Sequence, residues 1–534
     1  MSHRAISPKL QPGCKPAALI IVGVLLISGI YLRGQESSRA LSGLLDRPLC
    51  PHIGSRRELF VDYYLIDQMK KTRLLLHHPT PAEVVLRSDR PWEGKLGFGQ
   101  DVIFLEGTYR MYYRASNKLC YAESGDGIHW TKPDMGLIES EGSRRNNLVG
   151  TEQGGYLYDA ETEPSARIFL DSRPGVPPGE RFKALSLNEG KKAHPTEKEL
   201  AEKYTINEQG LWVGNPVDVI AWISADGLRW RKLRKEPILR SNLYGVMDGD
   251  FSLFWSQPEQ RYVMYTRYYT SRNAAGRRSI ARTVSSDFLH WSLPVPMEFE
   301  GSGIIPQEHL YINLTLPYFR APHIAIAMPA RLLQGRQVLT DQQARQLGVP
   351  EGYWNDCSET VLMSTRGGTR YDRTFMEGFI RPGIGPLNWV TRTNYALRGV
   401  VPTGDSEMSV YVTRHAGTPS WHIRRYVLRL DGFASVNAPY DGGEMVTRLF
   451  TFSGNELLLN YSTSAAGSIR VEIQGPGGEP VPGYSLEESQ EIVGDEIERV
   501  MAWRKGPDVR PLEGRPVRLR FIMKDADLYS IRFR

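Results

Sequence analysis

Between residues 95 and 440, short runs of alternating apolar and polar residues recur in pairs, each pair joined by a turn. VIFLEGT at 102–108 leads into YRMYYR at 109–114, SLFWSQPEQ at 252–260 into YVMYTR at 262–267, and VVPTGDSE at 400–407 into SVYVTR at 409–414. Aromatic and β-branched residues alternating with polar ones predict strands with one face buried. FKALSL at 182–187 and HIAIAM at 323–328 are weaker versions of the same outgoing strand. Five hairpin units are expected, whose outgoing strands carry Tyr109, Phe182, Tyr262, Ile324 and Tyr411.

A second phrase recurs. SGDGIHW at 124–130, SADGLRW at 224–230, SSDFLHW at 285–291 and a decayed STRGGTRY at 364–371 each place a serine, a turn and then an aromatic. Asp126-Gly127 and Asp226-Gly227 carry turn chemistry, since glycine tolerates positive φ and aspartate bonds the backbone two residues on. Trp130, Trp230 and Trp291 then fall where a returning strand packs on a neighbouring sheet. A repeat of this size predicts a propeller, here one of five blades. A plain β-sandwich has no need of the recurring phrase.

From about residue 441 the repeat stops and alternating strands joined by Gly/Pro turns continue to the end, which predicts a small β-sandwich. The expected fold is all-β: residues 1–55 a signal peptide or signal anchor with a linker, 56–440 a five-bladed β-propeller, 441–534 a β-sandwich. RELFVDYYLID and VVLRSDRPWEG, within 56–95, are expected to lead into the first repeat. The charged segment 189–210 reads as a solvated insertion, and 331–352 as a second one with a short helical stretch, TDQQARQLG. Insertions on one rim of a propeller shape binding sites.

The N-terminal run AALIIVGVLLISGIYL, 17–32, is uncharged and follows Arg4, Lys9 and Lys15, which predicts export with the N-terminus inside. Ser38-Arg39-Ala40 is a weak cleavage site, so a signal peptide and a retained anchor both stay open. Any membrane contact is expected through 17–32 alone. Of the four cysteines, Cys14 precedes this run; Cys50, Cys120 and Cys357 allow one disulfide at most, and buried free thiols are expected for Cys120 and Cys357. The net charge of +6 is spread over short basic pairs without interleaved aromatics, which argues against a nucleic-acid partner. No glycine-rich phosphate loop, CxxC pair or HExxH helix occurs. His77, His78 and His415 lack metal-ligand spacing with acids, so neither a catalytic metal nor another cofactor is expected.

Acids at the starts of innermost propeller strands converge on one channel. Asp101 opens the first such strand, Asp248 and Asp250 the third, and Glu308 and His309 precede the fourth, while Asp356 and Glu359 lie in NDCSET. Glycosidic bond cleavage needs such a set: one carboxyl to protonate the leaving oxygen, another ionised as nucleophile or base. Any single one of these acids reads equally well as a turn or strand-edge cap. Arg320, Arg392 and Asn394 are candidates to meet sugar hydroxyls or a carboxylate, and an arginine fork suits that task. A buried arginine pairing a neighbouring blade's acid is the other reading. Trp92, Trp354 and Trp389 are candidates to stack on sugar rings, or to fill cores.

Asp101, its short strand and the following Gly107-Thr108-Tyr109, with five units and a trailing β-sandwich, resemble the five-bladed propeller glycoside hydrolases of families 32, 43 and 68. LFVDYYLID, RPWEG, YAESGDGIHW, YFRAPHIAIAMPAR and MKDADLYSIRF are similar, more narrowly, to exported bacterial family-32-like proteins without an assigned substrate. The resemblance implies Asp101 as nucleophile or base, Asp248 steadying the transition state and Glu308 as acid. Asp250, His309, Arg320, Arg392, Asn394 and Asp356 would then bind substrate. The fructoside signatures are absent: Gly-Gln-Asp-Val stands at Asp101, no Arg-Asp-Pro surrounds Asp248, and no Glu-Cys pair occurs at Glu308. The expected function is cleavage of poly- or oligosaccharides, with a non-catalytic glycan- or protein-binding propeller as the alternative. Sialidase-like chemistry is disfavoured, because its turn motif is one residue longer.

Overall fold

The computed structural model describes residues 48–97, 101–116, 118–157, 166–188, 205–206, 212–243, 251–270, 276–301 and 305–534. The apolar run 17–32, Cys14, Ser38-Arg39-Ala40, most of the 189–210 insertion, and Asp248 and Asp250 lie outside them. The described residues are nearly all strand and turn. The only α-helix among them, Asp341–Gln346, lies in the second expected insertion and is capped by Thr340 with Gln343.

Five short strands face one cavity: Asp101–Leu105, Arg167–Leu170, Ser252–Ser256, Leu316–Tyr318 and Val401–Pro402. Each pairs antiparallel with the long strand that follows it. Those partners are Thr108–Ala115, Phe182–Asn188, Arg261–Tyr269, Ala321–Ala327 and Glu407–Arg414. The arrangement is propeller-like. The sheet containing Glu407–Arg414 is completed by Thr80–Arg87 from the N-terminal side, which pairs with His422–Arg429.

Between consecutive sheets lie separate hydrophobic cores. Tyr112, Ile168, Phe182 and Trp230 share one; Leu185, Leu253, Tyr262 and Phe288 a second; Val263, Tyr265, Ala325 and Tyr371 a third. Ile324, Ile326, Val410 and Val412 belong to a fourth, and Met111, Tyr113, Tyr411 and Ile423 to a fifth. Strands buried on both faces explain runs such as Met111-Tyr112-Tyr113, where strict alternation fails. Each fully buried large side chain contributes about 1.5–3 kcal/mol.

The recurring phrase folds the same way three times. The hydroxyls of Ser124, Ser224 and Ser285 contact the carboxylates of Asp126, Asp226 and Asp287, whose oxygens accept from the next two backbone N–H groups but one. The indoles of Trp130, Trp230 and Trp291 donate to the carbonyls of Gly127, Gly227 and Phe288. In the decayed copy Thr365 takes the serine's place and Gly367 that of the acid, with Tyr371 as the buried aromatic.

A further eight-stranded sheet draws on both ends of the described chain. Arg57–Leu59, Ile66–Lys70 and Arg73–Leu76 pair with strands after residue 433, the long Arg518–Phe533 among them. Residues 57–76 thus join the C-terminal strands instead of leading into the first repeat. The cause is non-local: their apolar residues Phe60, Leu65 and Ile66 complete the core of Leu459, Val471, Phe521 and Phe533. Cys50, Cys120 and Cys357 are free thiols, the last two buried as expected.

Candidate functional site at the strand-start end of the central cavity

Antiparallel pairing puts the ends of the long strands beside the starts of the cavity-facing ones. Tyr112 lies opposite Asp101, Tyr265 opposite Ser252 and Ile326 opposite Leu316. The serine-acid turns follow the third strands and therefore lie at the other end. A chemical site built from strand starts must form at the first end.

Asp101 stands there, 3% exposed, at the wall of a cavity of about 410 Å³. One of its oxygens accepts from Arg398 Nε at 2.6 Å, the other from the Ile168 N–H at 3.1 Å. The Arg398 guanidinium also donates to the carbonyls of Phe251 and Ile168, each at 3.0 Å, so one side chain ties together the starts of three cavity strands. Burial pulls Arg398 below the ordinary arginine value, against the pull of Asp101. Beyond this pair the cavity wall is mostly apolar, with Ile103, Phe254, Trp255, Leu316 and Met328. Arg398 was legible only as a lone charge in the apolar run YALRGVV.

Glu308 lies at the same end but is not part of that wall. Its oxygens accept from Arg331 Nη1 at 3.0 Å and Arg373 Nη1 at 2.8 Å. Arg331 also holds Glu359, its cross-strand neighbour, at 2.5 Å. Burial lowers the Arg331 pKa, but Glu359 and Glu308 outweigh it and the net direction is upward. His309 is buried and its Nδ1 accepts from the Arg278 N–H at 3.2 Å, which puts the ring proton on Nε2. Burial, with Arg278 and Arg277 nearby, holds His309 below the ordinary histidine value and hence neutral at pH 7.

The remaining candidates divide. Arg392 stacks on the Tyr353 ring at 4.9 Å and donates to its hydroxyl. Asn394 is fully buried, donating to the Ser358 and Asn388 carbonyls and accepting from Arg414, so it ties the strand Cys357–Val361 to the turn at Pro386–Asn388. Asp356 accepts from the Gly335 N–H at 2.7 Å. Arg320 lies at the other end, in the turn between Leu316–Tyr318 and Ala321–Ala327, where it pairs with Asp431 at 3.2 Å and Glu498 at 2.7 Å. It fastens the eight-stranded sheet to the cavity sheets. Trp92, Trp354 and Trp389 donate to Asn147, Asp341 and the Gly383 carbonyl, and Trp354 packs in the core around the helix. Among the described residues no group of three His, Cys, Asp or Glu side chains is placed to hold a metal ion.

No family model and no curated protein matches the chain. Solved structures similar to it include an N-acetylgalactosamine deacetylase from F. plautii in complex with blood group B trisaccharide. That match has 12% identity over 67% of this chain and 96% of that one, with a TM-score of 0.39. An exo-inulinase from Aspergillus awamori matches at 11% identity over 86% of this chain and 98% of that one, with a TM-score of 0.31. A thermostable family-43 glycoside hydrolase matches at 15% identity over 67% of this chain and 96% of that one, with a TM-score of 0.34.

Proposed function

We propose that this chain is an exported glycoside hydrolase-like protein: a five-bladed β-propeller whose C-terminal sheet doubles back as a β-sandwich, taking a poly- or oligosaccharide at the strand-start end. The observation that supports this reading is the buried carboxylate of Asp101 at the wall of the cavity on which five strands converge, while Glu308 and Glu359 share Arg331 outside that wall. Carboxylates supply the proton and the negative charge that glycosidic cleavage requires, and tyrosine faces stack on sugars. In this scheme Asp101 is nucleophile or base, Asp248 steadies the transition state, and Glu308 is the acid. His309, Arg392, Asp250 and Asp356 are assigned to substrate binding in the same scheme. Export rests on the apolar run 17–32.

A non-catalytic glycan-binding propeller is the second reading, favoured by one observation. Both oxygens of Asp101 and both of Glu308 already accept hydrogen bonds, as they would in purely structural pairs. The deciding experiment is a broad oligosaccharide screen with product detection by mass spectrometry, run in parallel with binding. Turnover of a glycan, cut by orders of magnitude in Asp101→Asn while binding persists, supports catalysis. Binding without product, equal in wild type and Asp101→Asn, establishes the second reading.

A further inference from the structure

The guanidinium of Arg278 lies between two rings, 5.4 Å from the centroid of Tyr269 and 5.1 Å from that of Tyr311. Among the described residues no carboxylate or carbonyl accepts from it, and its Nε–H is buried without an acceptor. A donor shielded from water and left unbonded costs about 1–3 kcal/mol. Both rings lie within cation–π reach of the planar group, and its N–H groups are the part able to bind an anion. An edge of that kind matches an anion with two oxygens side by side.

The position belongs to the proposed glycan site. Arg278 begins the strand Arg278–Ser285 at the strand-start end, and its backbone N–H holds His309. Tyr311 continues the row by packing on Tyr395 at 5.8 Å, and Arg392 lies within electrostatic reach of both tyrosines. The row thus sets aromatic rings and positively charged groups side by side at this end.

We propose that the glycan taken at this end carries an anionic substituent, a uronate carboxylate or a sulfate ester, seated on the Arg278 edge between Tyr269 and Tyr311. This inference rests on the glycan reading above and can fail separately from it. The test uses the full chain and matched pairs of probes: oligogalacturonate against its methyl ester, and chondroitin sulfate against its desulfated form, with inulin oligosaccharides as neutral probes. The expected result is at least tenfold tighter binding of the charged member of one pair, the pair identifying carboxylate or sulfate. Arg278→Ala should abolish that preference. Arg278→Lys, which keeps the charge but loses the fork, should retain part of it. Circular dichroism and thermal melting identify a variant that has not folded, in which case Arg278→Gln and the wild-type pairs carry the test. Equal binding of charged and neutral members, or a preference unchanged in folded Arg278→Ala, overturns the anionic assignment and leaves the glycan reading standing. Retention of no probe of any kind overturns both.

Discussion

The hydroxyl of Tyr411 donates to the carbonyl of Gly127 at 2.6 Å, so the turn that ends one sheet is held by the long strand of its neighbour. Trp130 meets the same tyrosine edge-on at 5.6 Å. The relation recurs around the cavity: a Cβ added at Gly227 would strike the Tyr112 hydroxyl, Phe288 faces Lys183 at 5.6 Å, and Tyr371 lies 5.5 Å from Tyr265. The recurring phrase is therefore the joint between sheets, and in these four cases the neighbouring sheet's second strand supplies the socket.

Gly127→Ala tests that joint. Gly127 has φ +74°, and a Cβ there would stand 2.8 Å from Thr403 Cγ2 and 2.9 Å from the Tyr411 hydroxyl. The left-handed backbone alone costs a non-glycine residue about 1–3 kcal/mol, and the contacts add to it. A lower melting temperature is expected. Gly136→Ala is the control, with φ +68° and open space at its Cβ, and it should cost less.

The Asp101–Arg398 pair carries a stability prediction that the sequence did not. Read from the sequence, Asp101→Asn should leave folding nearly intact. With both side chains no more than 4% exposed, removing one charge leaves the other buried and uncompensated. Breaking such a pair costs about 3–5 kcal/mol. Asp101→Asn and Arg398→Met should each shift the denaturation midpoint strongly, and the double variant should be less destabilised than the sum of the two. Additive losses would mean that the pair is not coupled.

These outcomes mark what could be read from sequence. The serine-acid-glycine turns were legible because the serine, aspartate and tryptophan hydrogen bonds that shape them close within seven residues, from Ser124 to Trp130. Three of the five cavity strands were legible as runs ahead of a turn, and Arg167–Leu170 and Leu316–Tyr318 were not. Partners that depend on ring closure were not: Arg398 meets Asp101 across 297 positions, and Thr80–Arg87 joins a sheet whose other strands begin at Tyr395. Arg320 looked like a site residue because it is charged and lies beside aromatics. Nothing local reveals that its turn faces Asp431 and Glu498.

Acid should unfold the protein in two stages. Burial lowers His422 from 6.5 to about 4, so the unfolded chain gains a proton that the folded one refuses. Its contribution is complete above pH 6.5 and is lost as pH falls towards 4, on the order of 3 kcal/mol. For Glu58, burial alone would raise the pKa, but Arg366 and then His323 outweigh it and hold the group at about 2. That stabilisation is complete above pH 4.5 and disappears as pH falls towards 2. Melting temperature against pH should show both limbs. His422→Gln should flatten the upper one and Glu58→Gln the lower; an unchanged slope in either variant refutes that assignment.

Glu308 distinguishes an acid from a brace. As a general acid it must hand a proton to the leaving oxygen, so Glu308→Gln should slow glycosides with poor leaving groups by about 10²–10⁴-fold and activated aryl glycosides far less. As a brace it only holds Arg331 and Arg373, the latter 1% exposed. Its loss would then lower the melting temperature and reduce turnover of every substrate by a similar factor. Proton donation predicts a slope of rate against leaving-group pKa that steepens in the variant, together with loss of the alkaline limb of the pH–rate profile. Bracing predicts parallel slopes and an unchanged profile.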